Sequence, residues 1–276
     1  MTIGVNNLKQ EQIMASMIVK ALAKDTVISP TLINVSSQFA KGRTKASIPS
    51  AGLLIVEDTP RDGEVVVGSD RAYDKKPLEI DQYKTVADYI YDLDDFESTL
   101  DLMADFYADA PQALAEMLES DVVSALRIAG LESAKKFRLG GAGNQELTLA
   151  QVTLLNTKMN IAKVPKSMRY LAVSPTQAAI LRALPEVRNA AAYGNSESVV
   201  NGIVTRLEGF TVIESNDLTQ FEVMAYHGSV AAYGVGKEVK KDEQREAAKK
   251  RTFCSVDTGW TKKVIRDLLW FGNELA

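Results

Sequence analysis

The chain has 276 residues, of which 46% are apolar and 25% charged, with a net charge of −4 and a pI near 5.3. This composition is ordinary for a folded protein and excludes an intrinsically disordered one. The acidic balance argues against a dedicated nucleic-acid-binding protein, because that affinity comes from many Lys and Arg contacts with phosphates. Cys254 is the only cysteine, which excludes an intrachain disulfide and a cysteine-based zinc site within one chain.

The N-terminal region is predicted to begin with an amphipathic helix. Across residues 8–23, apolar side chains recur every three or four positions and mark one helical face. Residues 26–38 are predicted to be extended. No cationic segment precedes an apolar core, and no stretch approaches the roughly 18 apolar residues that a membrane span requires. The sequence therefore predicts neither a signal peptide nor contact with a membrane.

Residues 42–84 have the pattern of a long β-hairpin. Two β-prone segments, 46–56 and 64–83, flank a turn signal at 58–63. A two-stranded hairpin is at best marginally stable alone in water, and arms of about ten residues reach on the order of 30 Å. We therefore predict that another copy of the chain covers this hairpin. The alternative is an edge hairpin on a larger sheet of the same chain.

The middle of the chain is predicted to be helical. From residue 96 onward, apolar residues recur at alternating steps of four and three. Pro111 interrupts this pattern and Asp109 can cap a new helix, so we predict a short helix ending near residue 108 and a longer one over 110–137. The longer helix would span about 40 Å. A coiled coil is the competing interpretation, although the apolar stripe is brief and interrupted.

Beyond this helix, the sequence alternates between helix and strand signals. Thr148 and Gln151 form a capping-box pattern before a helix that runs to about residue 162. A short apolar strand over 168–173 then stops at Ser174-Pro175, where serine can cap a helix and proline fits its first turn. A strand is therefore predicted to lead directly into a helix.

A second set of signals follows that helix. Pro185 ends it, because the residue before a proline disfavours the α region. Residues 186–201 form a long loop rich in Asn, Ser and Gly. Gly209 begins another strand, which closes at the turn-forming residues 215–217.

This order of elements over residues 168–218 resembles the A-domain of tailed-bacteriophage major capsid proteins, which have the Hong Kong-97-type fold. More loosely, the resemblance extends to the whole chain. It implies an α+β fold with an N-arm, an extended E-loop hairpin, a P-domain with a long spine helix, and an A-domain. The implied boundaries are 1–41 for the N-arm, 42–84 for the E-loop, 85–146 and 229–276 for the P-domain, and 147–228 for the A-domain.

The same resemblance also predicts which residues contact neighbouring subunits. In the family the E-loop starts at a G.T..IP..G pattern and lies across the adjacent subunit. Here that pattern is matched by Gly42, Thr44, Ile48, Pro49 and Gly52. The hairpin and the 186–201 loop, which the family places near a capsomer axis, supply the candidate intersubunit contacts: Ile48, Pro49, Pro60, Gly63, Tyr193 and Asn195.

The last 40 residues give mixed signals. By composition, residues 240–251 could form an exposed helix, whereas 251–256 and 262–271 look like strands around a turn at Asp257-Thr258-Gly259. The family resemblance instead favours a closing P-domain sheet with a charged turn. Residues 240–251 contain six basic and three acidic side chains. They could face packaged DNA or an acidic patch on a neighbour, and a solvated surface is the favoured interpretation.

No constellation in the sequence indicates catalysis. His227 and Cys254 could form a thiol–imidazole pair, but nothing orients them, and Cys254 lies in an apolar run where an inert buried cysteine is normal. The acidic region 88–109 fails the ligand spacing of an EF-hand and is interpreted as a solvated face. The glycine clusters at 140–143 and 233–237 lack the P-loop pattern and are interpreted as turns. We therefore predict no enzyme, no cofactor and no metal.

The function predicted from the sequence is that of a structural major capsid protein. It self-assembles as hexamers and pentamers into the icosahedral head of a tailed bacteriophage or prophage and encloses double-stranded DNA, which it contacts only non-specifically. Because the hairpin begins near residue 42, no long scaffolding segment precedes it, and a separate scaffolding protein and a portal are the expected partners. The expected location is the virion capsid, after assembly in the host bacterial cytoplasm.

Two alternatives remain at this point. Within the same fold, the chain could be an encapsulin-like nanocompartment shell that encloses a cargo enzyme. From a different class, it could be a small α/β enzyme with its site in the loop 186–201.

Overall fold

The computed structural model describes residues 26–39, 43–51, 73–97, 101–140, 146–184 and 206–273. The helices in these ranges are α1 (Asp92–Glu97), α2 (Leu102–Glu132), α3 (Leu149–Ile161) and α4 (Pro175–Ala183). The strands are β1 (Ile33–Asn34), β2 (Lys45–Ala51), β3 (Tyr73–Glu79), β4 (Gln82–Tyr91), β5 (Lys136–Arg138), β6 (Arg169–Val173), β7 (Arg206–Leu207), β8 (Phe210–Glu214), β9 (Val223–His227), β10 (Ala231–Glu246), β11 (Arg251–Val264) and β12 (Leu269–Asn273). Short 3-10 turns lie at Ser29–Thr31, Ser36–Gln38 and Ala247–Lys249.

The described strands form three sheets. A four-stranded sheet has the order β1-β10-β11-β4, a six-stranded sheet has the order β5-β12-β9-β6-β8-β7, and β2 and β3 form a separate two-stranded hairpin. The long strands β10 and β11 are antiparallel, with register shifts on β10 between Val235 and Lys237 and between Lys237 and Lys240. One long helix combined with mainly antiparallel sheets confirms the predicted α+β class.

Helix α2 packs against both larger sheets. Near its start, Ala110 and Leu114 contact Val256 and Trp260 of β11. Further along, α2 contributes Val122, Val123 and Leu126 to a cluster with side chains of β9 and β12. With 31 residues the helix is about 46 Å long at 1.5 Å per residue. Its length therefore joins two sheets into one structure.

The prediction of a helix break at Pro111 is wrong. Helix α2 starts at Leu102, where the Asp101 side chain accepts a hydrogen bond from the Ala104 N–H, and continues through Pro111. An interior proline costs about 3 kcal/mol. Ala110 and Leu114, on either side of it, are buried, and packing of such a face is what stabilises most helices in proteins. The helix also ends at residue 132 instead of 137, because Lys136–Arg138 forms β5.

Two predictions for the C-terminal region are also wrong. Residues 240–246 continue strand β10 and do not form a helix, and Asp257-Thr258-Gly259 lies inside β11 and is not a turn. Strand β11 pairs with β10 on one side and β4 on the other, including Asp257 with Thr85. Pairing on both edges outweighs a local turn signal. The chain reverses instead at 247–250, where Lys250 has φ +49°, as in the charged turn that the resemblance implied.

The central strands of the six-stranded sheet, β9 and β6, are buried on both faces. On one face, Leu171 and Val173 pack with side chains of α3 and α4, including Leu155 and Leu181. On the other face, Ala172 packs in the cluster that contains α2. This explains why Leu171, Ala172 and Val173 of β6 form a continuous apolar run and do not alternate with polar residues.

The predicted starts of α3 and α4 are confirmed. Thr148 and Gln151 make both hydrogen bonds of a capping box, and the Ser174 hydroxyl accepts from the Gln177 N–H at 3.4 Å. The extended prediction for residues 26–38 is only partly right, since two 3-10 turns flank the two residues of β1.

The six-stranded sheet contains strands from both the predicted P-domain range and the predicted A-domain range. Strand β12, from the predicted P-domain range, pairs with β9, from the predicted A-domain range. The domain boundaries themselves stay a prediction. Among the described helices, none combines the length and apolar character needed to cross a membrane.

Candidate assembly surface

The β2–β3 hairpin leaves the body of the subunit. Its strands pair antiparallel from Lys45 opposite Glu79 to Ala51 opposite Tyr73. On the face of β3 that carries Leu78, burial falls along the hairpin: Leu78, near the base, is 1% exposed, Lys76 is half-buried and Asp74, near the described far end, is exposed. The base therefore belongs to the core of its own subunit, and the described far end does not.

The hairpin base is fixed by apolar and polar contacts. Ala46, Leu78 and Ile80 join a buried cluster with side chains from residues 33–39, β10 and Ile265. The Lys76 ammonium donates to the Ile265 carbonyl, and Lys263 Nζ donates to the Pro77 carbonyl at 2.9 Å. These bonds hold the base of β3 against the end of β11 and the turn after it.

Gly234 of β10 leaves space for Phe39 of the segment 26–39, and Gly236 leaves space for Ile80, which directly follows the hairpin; we call this pair the glycine seat. A Cβ atom at Gly236 would overlap Ile80 Cδ1, and one at Gly234 would lie 2.5 Å from Phe39 Cε2. Only glycine allows these side chains to lie so close to the strand backbone. Residues 233–237 are therefore part of a strand with a packing role, and the prediction of a turn there is wrong.

Of the predicted intersubunit contacts, two lie in the described hairpin. Ile48 is half-buried and packs against the cluster at the base of its own chain. Pro49 is exposed and is paired in register with Lys75. Pro60, Gly63, Tyr193 and Asn195 lie outside the described residues. Contact of any of the six with another subunit stays a prediction.

The segment 26–39 is held by a buried carboxylate, and we call this arrangement the Glu119 clamp. Glu119, on α2, is 0% exposed. Its Oε1 accepts from the backbone N–H groups of Val27 at 3.0 Å and Ile28 at 2.6 Å, and its Oε2 accepts from Ser29 at 2.8 Å. Charge-assisted bonds of this kind offset the cost of burying a carboxylate. The clamp fixes the start of the described segment against helix α2.

The same segment covers one edge of the four-stranded sheet. Strand β1 pairs parallel with β10, and the Val35 N–H donates to the Tyr233 carbonyl at 2.9 Å. The sequence interpretation missed the Glu119 clamp. Its signal was the position of Glu119, three and seven residues before the buried Val122 and Leu126, which places a charged residue inside the apolar stripe.

His227 and Cys254 do not come together. His227 ends β9 in the six-stranded sheet, and Cys254 lies in β11 of the four-stranded sheet. Burial lowers the pKa of His227, and so does the charge of Arg266, while its Nδ1 lies 2.8 Å from the Ser229 hydroxyl. Burial raises the pKa of the Cys254 thiol, which disfavours the reactive thiolate.

Several acidic side chains are bound individually to other groups. Asp92 forms an ion pair with Arg245, and Asp101 caps α2. Asp121 accepts from Trp260 Nε1 at 3.0 Å and pairs with Lys262 at 3.0 Å. Within the described ranges, no three His, Cys, Asp or Glu side chains are grouped so that they could hold a metal ion.

Comparison with known proteins agrees with this architecture. The sequence model of a family described as phage capsid protein matches residues 75–258. The capsid structure of the cyanophage P-SCSP1u superposes with a TM-score of 0.76 at 15% identity, covering 94% of this chain and 91% of that chain. A structure from Mycobacterium phage Che8 gives 0.73 at 18% identity, covering 94% and 95%. The mature capsid of bacteriophage PhiM1 gives 0.70 at 13% identity, covering 93% and 89%.

No curated protein sequence matches the chain. At identities below 20% the structural likeness establishes the fold, which is the Hong Kong-97-type fold that the sequence predicted. The predicted family is confirmed as well, and neither the nanocompartment nor the small enzyme is favoured. Because the family model matches about two thirds of the sequence, the chain belongs to the phage capsid protein family.

Proposed function

We propose that many copies of this chain, arranged as hexamers and pentamers, build the icosahedral head of a tailed phage or prophage around double-stranded DNA. Membership of the capsid family and the Hong Kong-97-type fold support the structural role of a major capsid protein. Such a protein functions by forming interfaces of defined geometry with copies of itself. A closed shell repeats a few interface types many times, so modest contacts at each interface add up.

The observation that carries this proposal is the loss of burial along the β2–β3 hairpin. Its base is held in its own subunit through the glycine seat and the bond from Lys263, whereas Asp74, on the same face of β3 as the buried Leu78, is exposed. An extended hairpin is poorly stable in water without a covering surface. A neighbouring copy would supply that surface, and a rigid base would set the angle at which the hairpin reaches it.

The other partners follow from the same proposal. The shell assembles in the host bacterial cytoplasm with a separate scaffolding protein and a portal, and it ends as the capsid of the virion. A net charge of −4 fits a protein that contacts packaged DNA only non-specifically. No enzymatic step is included, since His227 and Cys254 lie in separate sheets.

Electron microscopy of the purified full-length protein, with and without its scaffolding protein, tests the proposal. We expect closed shells of uniform size. Particles that remain strictly monomeric or dimeric under all assembly conditions would refute it. Shells that enclose a cargo enzyme in place of nucleic acid would support the nanocompartment instead.

The role of the hairpin has its own test. Deletion of residues 57–64 should leave the subunit folded, because the hairpin base keeps its contacts with β10 and β11. Assembly should be impaired, because the covering contact with a neighbour is shortened. Circular dichroism of the subunit and the shell yield in electron micrographs measure the two effects. Unchanged shells would refute the proposed role.

A further inference from the structure

Helix α1 exposes apolar side chains at one end of the four-stranded sheet. Phe96 is 87% exposed and Leu93 is 65% exposed, and Tyr91, directly before the helix, is 43% exposed. Single apolar residues on a surface are common, but adjacent large ones are typical of binding sites. We call Leu93, Asp94, Asp95 and Phe96 the α1 surface.

The α1 surface is also negatively charged. Asp92 is paired with Arg245 of the same chain. For Asp94 and Asp95, the described residues include no ion-pair partner, and Asp95 is exposed. Among the described residues, these two carboxylates therefore lie beside an exposed phenylalanine and form no ion pair.

The reversal between β10 and β11 is positively charged; we call residues 245–251 the basic tip. It contains four cations, and Glu246 is its only acid. Lys249 and Arg251 both bind Glu246, at 3.2 and 2.8 Å. Lys250 is exposed, and the part of the chain described here offers it no ion pair. One acid cannot balance four cations, so the tip keeps a positive surplus.

The two surfaces are held side by side in each subunit. The Asp92 N–H donates to the Lys250 carbonyl at 3.0 Å, and Arg245 pairs with Asp92. Arg245 and, less strongly, Lys250 lower the pKa of Asp92, so within the described residues these contacts use Asp92 and leave Asp94 and Asp95 over. A positive surface beside a negative one is complementary to the same pair on a second copy.

We propose that the basic tip of one subunit docks on the α1 surface of a second copy, with Phe96 as the apolar anchor of the contact. The inference rests on the proposed self-assembly and adds which surfaces meet. A second copy fits better than DNA, because Asp94 and Asp95 would repel phosphates next to the tip. Like charges facing each other across an interface disfavour a partner, and opposite charges set the register.

Charge reversal tests the contact. One variant carries Asp94→Lys with Asp95→Lys, a second carries Lys249→Glu with Lys250→Glu, and a third combines all four changes. We expect shell yield to fall about tenfold or more in each of the first two variants, because like charges then meet. The combined variant should recover to within about threefold of the wild type, because opposite charges meet again. A combined variant as defective as the first two would overturn the proposal.

The unassembled subunits decide whether the contact is between copies or within one chain. We expect thermal midpoints of the three variants to agree with the wild type within about 2 °C. Midpoints that fall in the first two variants and recover in the third would assign the contact to one chain and overturn the proposal. Phe96→Asp should reduce shell yield, whereas Phe96→Leu should preserve it; equal yields would remove the anchor role and overturn the proposal as stated.

The remaining outcomes separate this proposal from the proposed function. If the wild type forms no shells, the proposed function fails, and this contact fails with it. If the wild type and all variants form equal shells, only this contact fails. Shells of the tip variant that form normally but retain less DNA would assign the tip to nucleic acid and also overturn the contact.

Discussion

A buried carboxylate usually needs a cation nearby, because removing its charge from water costs several kcal/mol. Glu119 is completely buried, and the described part of the chain offers it no ion pair. Three backbone N–H groups take the place of a cation. An ionised carboxylate suits them because both of its oxygens accept, whereas an amide has only one accepting oxygen.

Glu119→Gln is therefore expected to destabilise the subunit. The amide group must face at least one backbone N–H, so a donor meets a donor. We expect the free energy of unfolding to fall by about 2 kcal/mol, the usual scale for a lost bond to a charged group. Urea denaturation measures it. Glu132→Gln, an exposed change on the same helix, should stay within about 0.5 kcal/mol; equal effects of the two changes would contradict the clamp.

His227 makes stability depend on pH. Burial and the charges of Arg266 and Arg169 hold its folded-state pKa below the ordinary histidine value of 6.5. Below pH 6.5 the unfolded chain therefore binds a proton that the folded chain does not bind. Stability should fall as the pH drops below this value, until the folded-state pKa is reached.

His227→Gln should flatten that fall. Denaturation midpoints measured between about pH 7 and pH 5 would show a smaller loss in the variant than in the wild type. This window is chosen because the folded-state pKa of Glu222 is lowered from 4.5, so its contribution is lost only in more acidic solution. Parallel curves for the two proteins would assign the pH dependence to other groups.

At the scale of the elements, the sequence predicted what local chemistry decides. The capping box at Thr148 and the serine cap at Ser174 start α3 and α4 where expected, because a cap acts within one turn. Pro111 and Asp257-Thr258-Gly259 carry equally clear local signals and were misleading. Pro111 is flanked by Ala110 and Leu114, which pack on β11, and Asp257-Thr258-Gly259 lies in a strand that is paired on both edges. A single sequence does not display those contacts.

The candidate assembly surface was predicted to a similar extent. Alternating β-prone residues indicated the hairpin, and its base lies where the pattern began. The glycine seat was misinterpreted as a turn, because the glycines make room for Ile80 and Phe39, which are about 155 and 195 positions distant in the sequence. Such a partner is visible only in three dimensions.

Gly236→Ala tests the glycine seat. The added Cβ overlaps Ile80 Cδ1, and overpacking of this kind costs about 1–3 kcal/mol. Ile80→Val removes the overlapping atom, so the double variant should be more stable than the sum of the two single changes predicts. Chemical denaturation of the four proteins completes this cycle. Strict additivity would mean that Ile80 is not what the glycine accommodates.

At the scale of the whole molecule, α2 joins the sheets. Its first half packs on β11, and its second half packs on β9 and β12. Arg127 of α2 also binds the Glu222 carboxylate through Nε and Nη2, each at 2.7 Å, just before β9. A continuous core of this kind should unfold as one unit, although its sheets lie in ranges predicted to form different domains.

The two tryptophans can test this cooperativity. Trp260 lies in the four-stranded sheet and Trp270 in the six-stranded sheet. In Trp260→Phe and Trp270→Phe, the remaining tryptophan reports on one sheet only. Within each variant, we expect the urea transition by fluorescence to coincide with that by far-ultraviolet circular dichroism. Transitions that separate would mean that the sheets unfold independently.

The contacts of residues 26–39 also determine when this segment can take its place during synthesis. Its hydrogen bonds to Glu119 span 90 to 92 positions, and the bond from the Val235 N–H to the Ser36 hydroxyl spans 199. Contacts between such distant positions form late, because a long loop must close first. This segment leaves the ribosome well before β10 does, so it cannot dock until β10 has been made, and until it docks the β10 edge that it covers remains open.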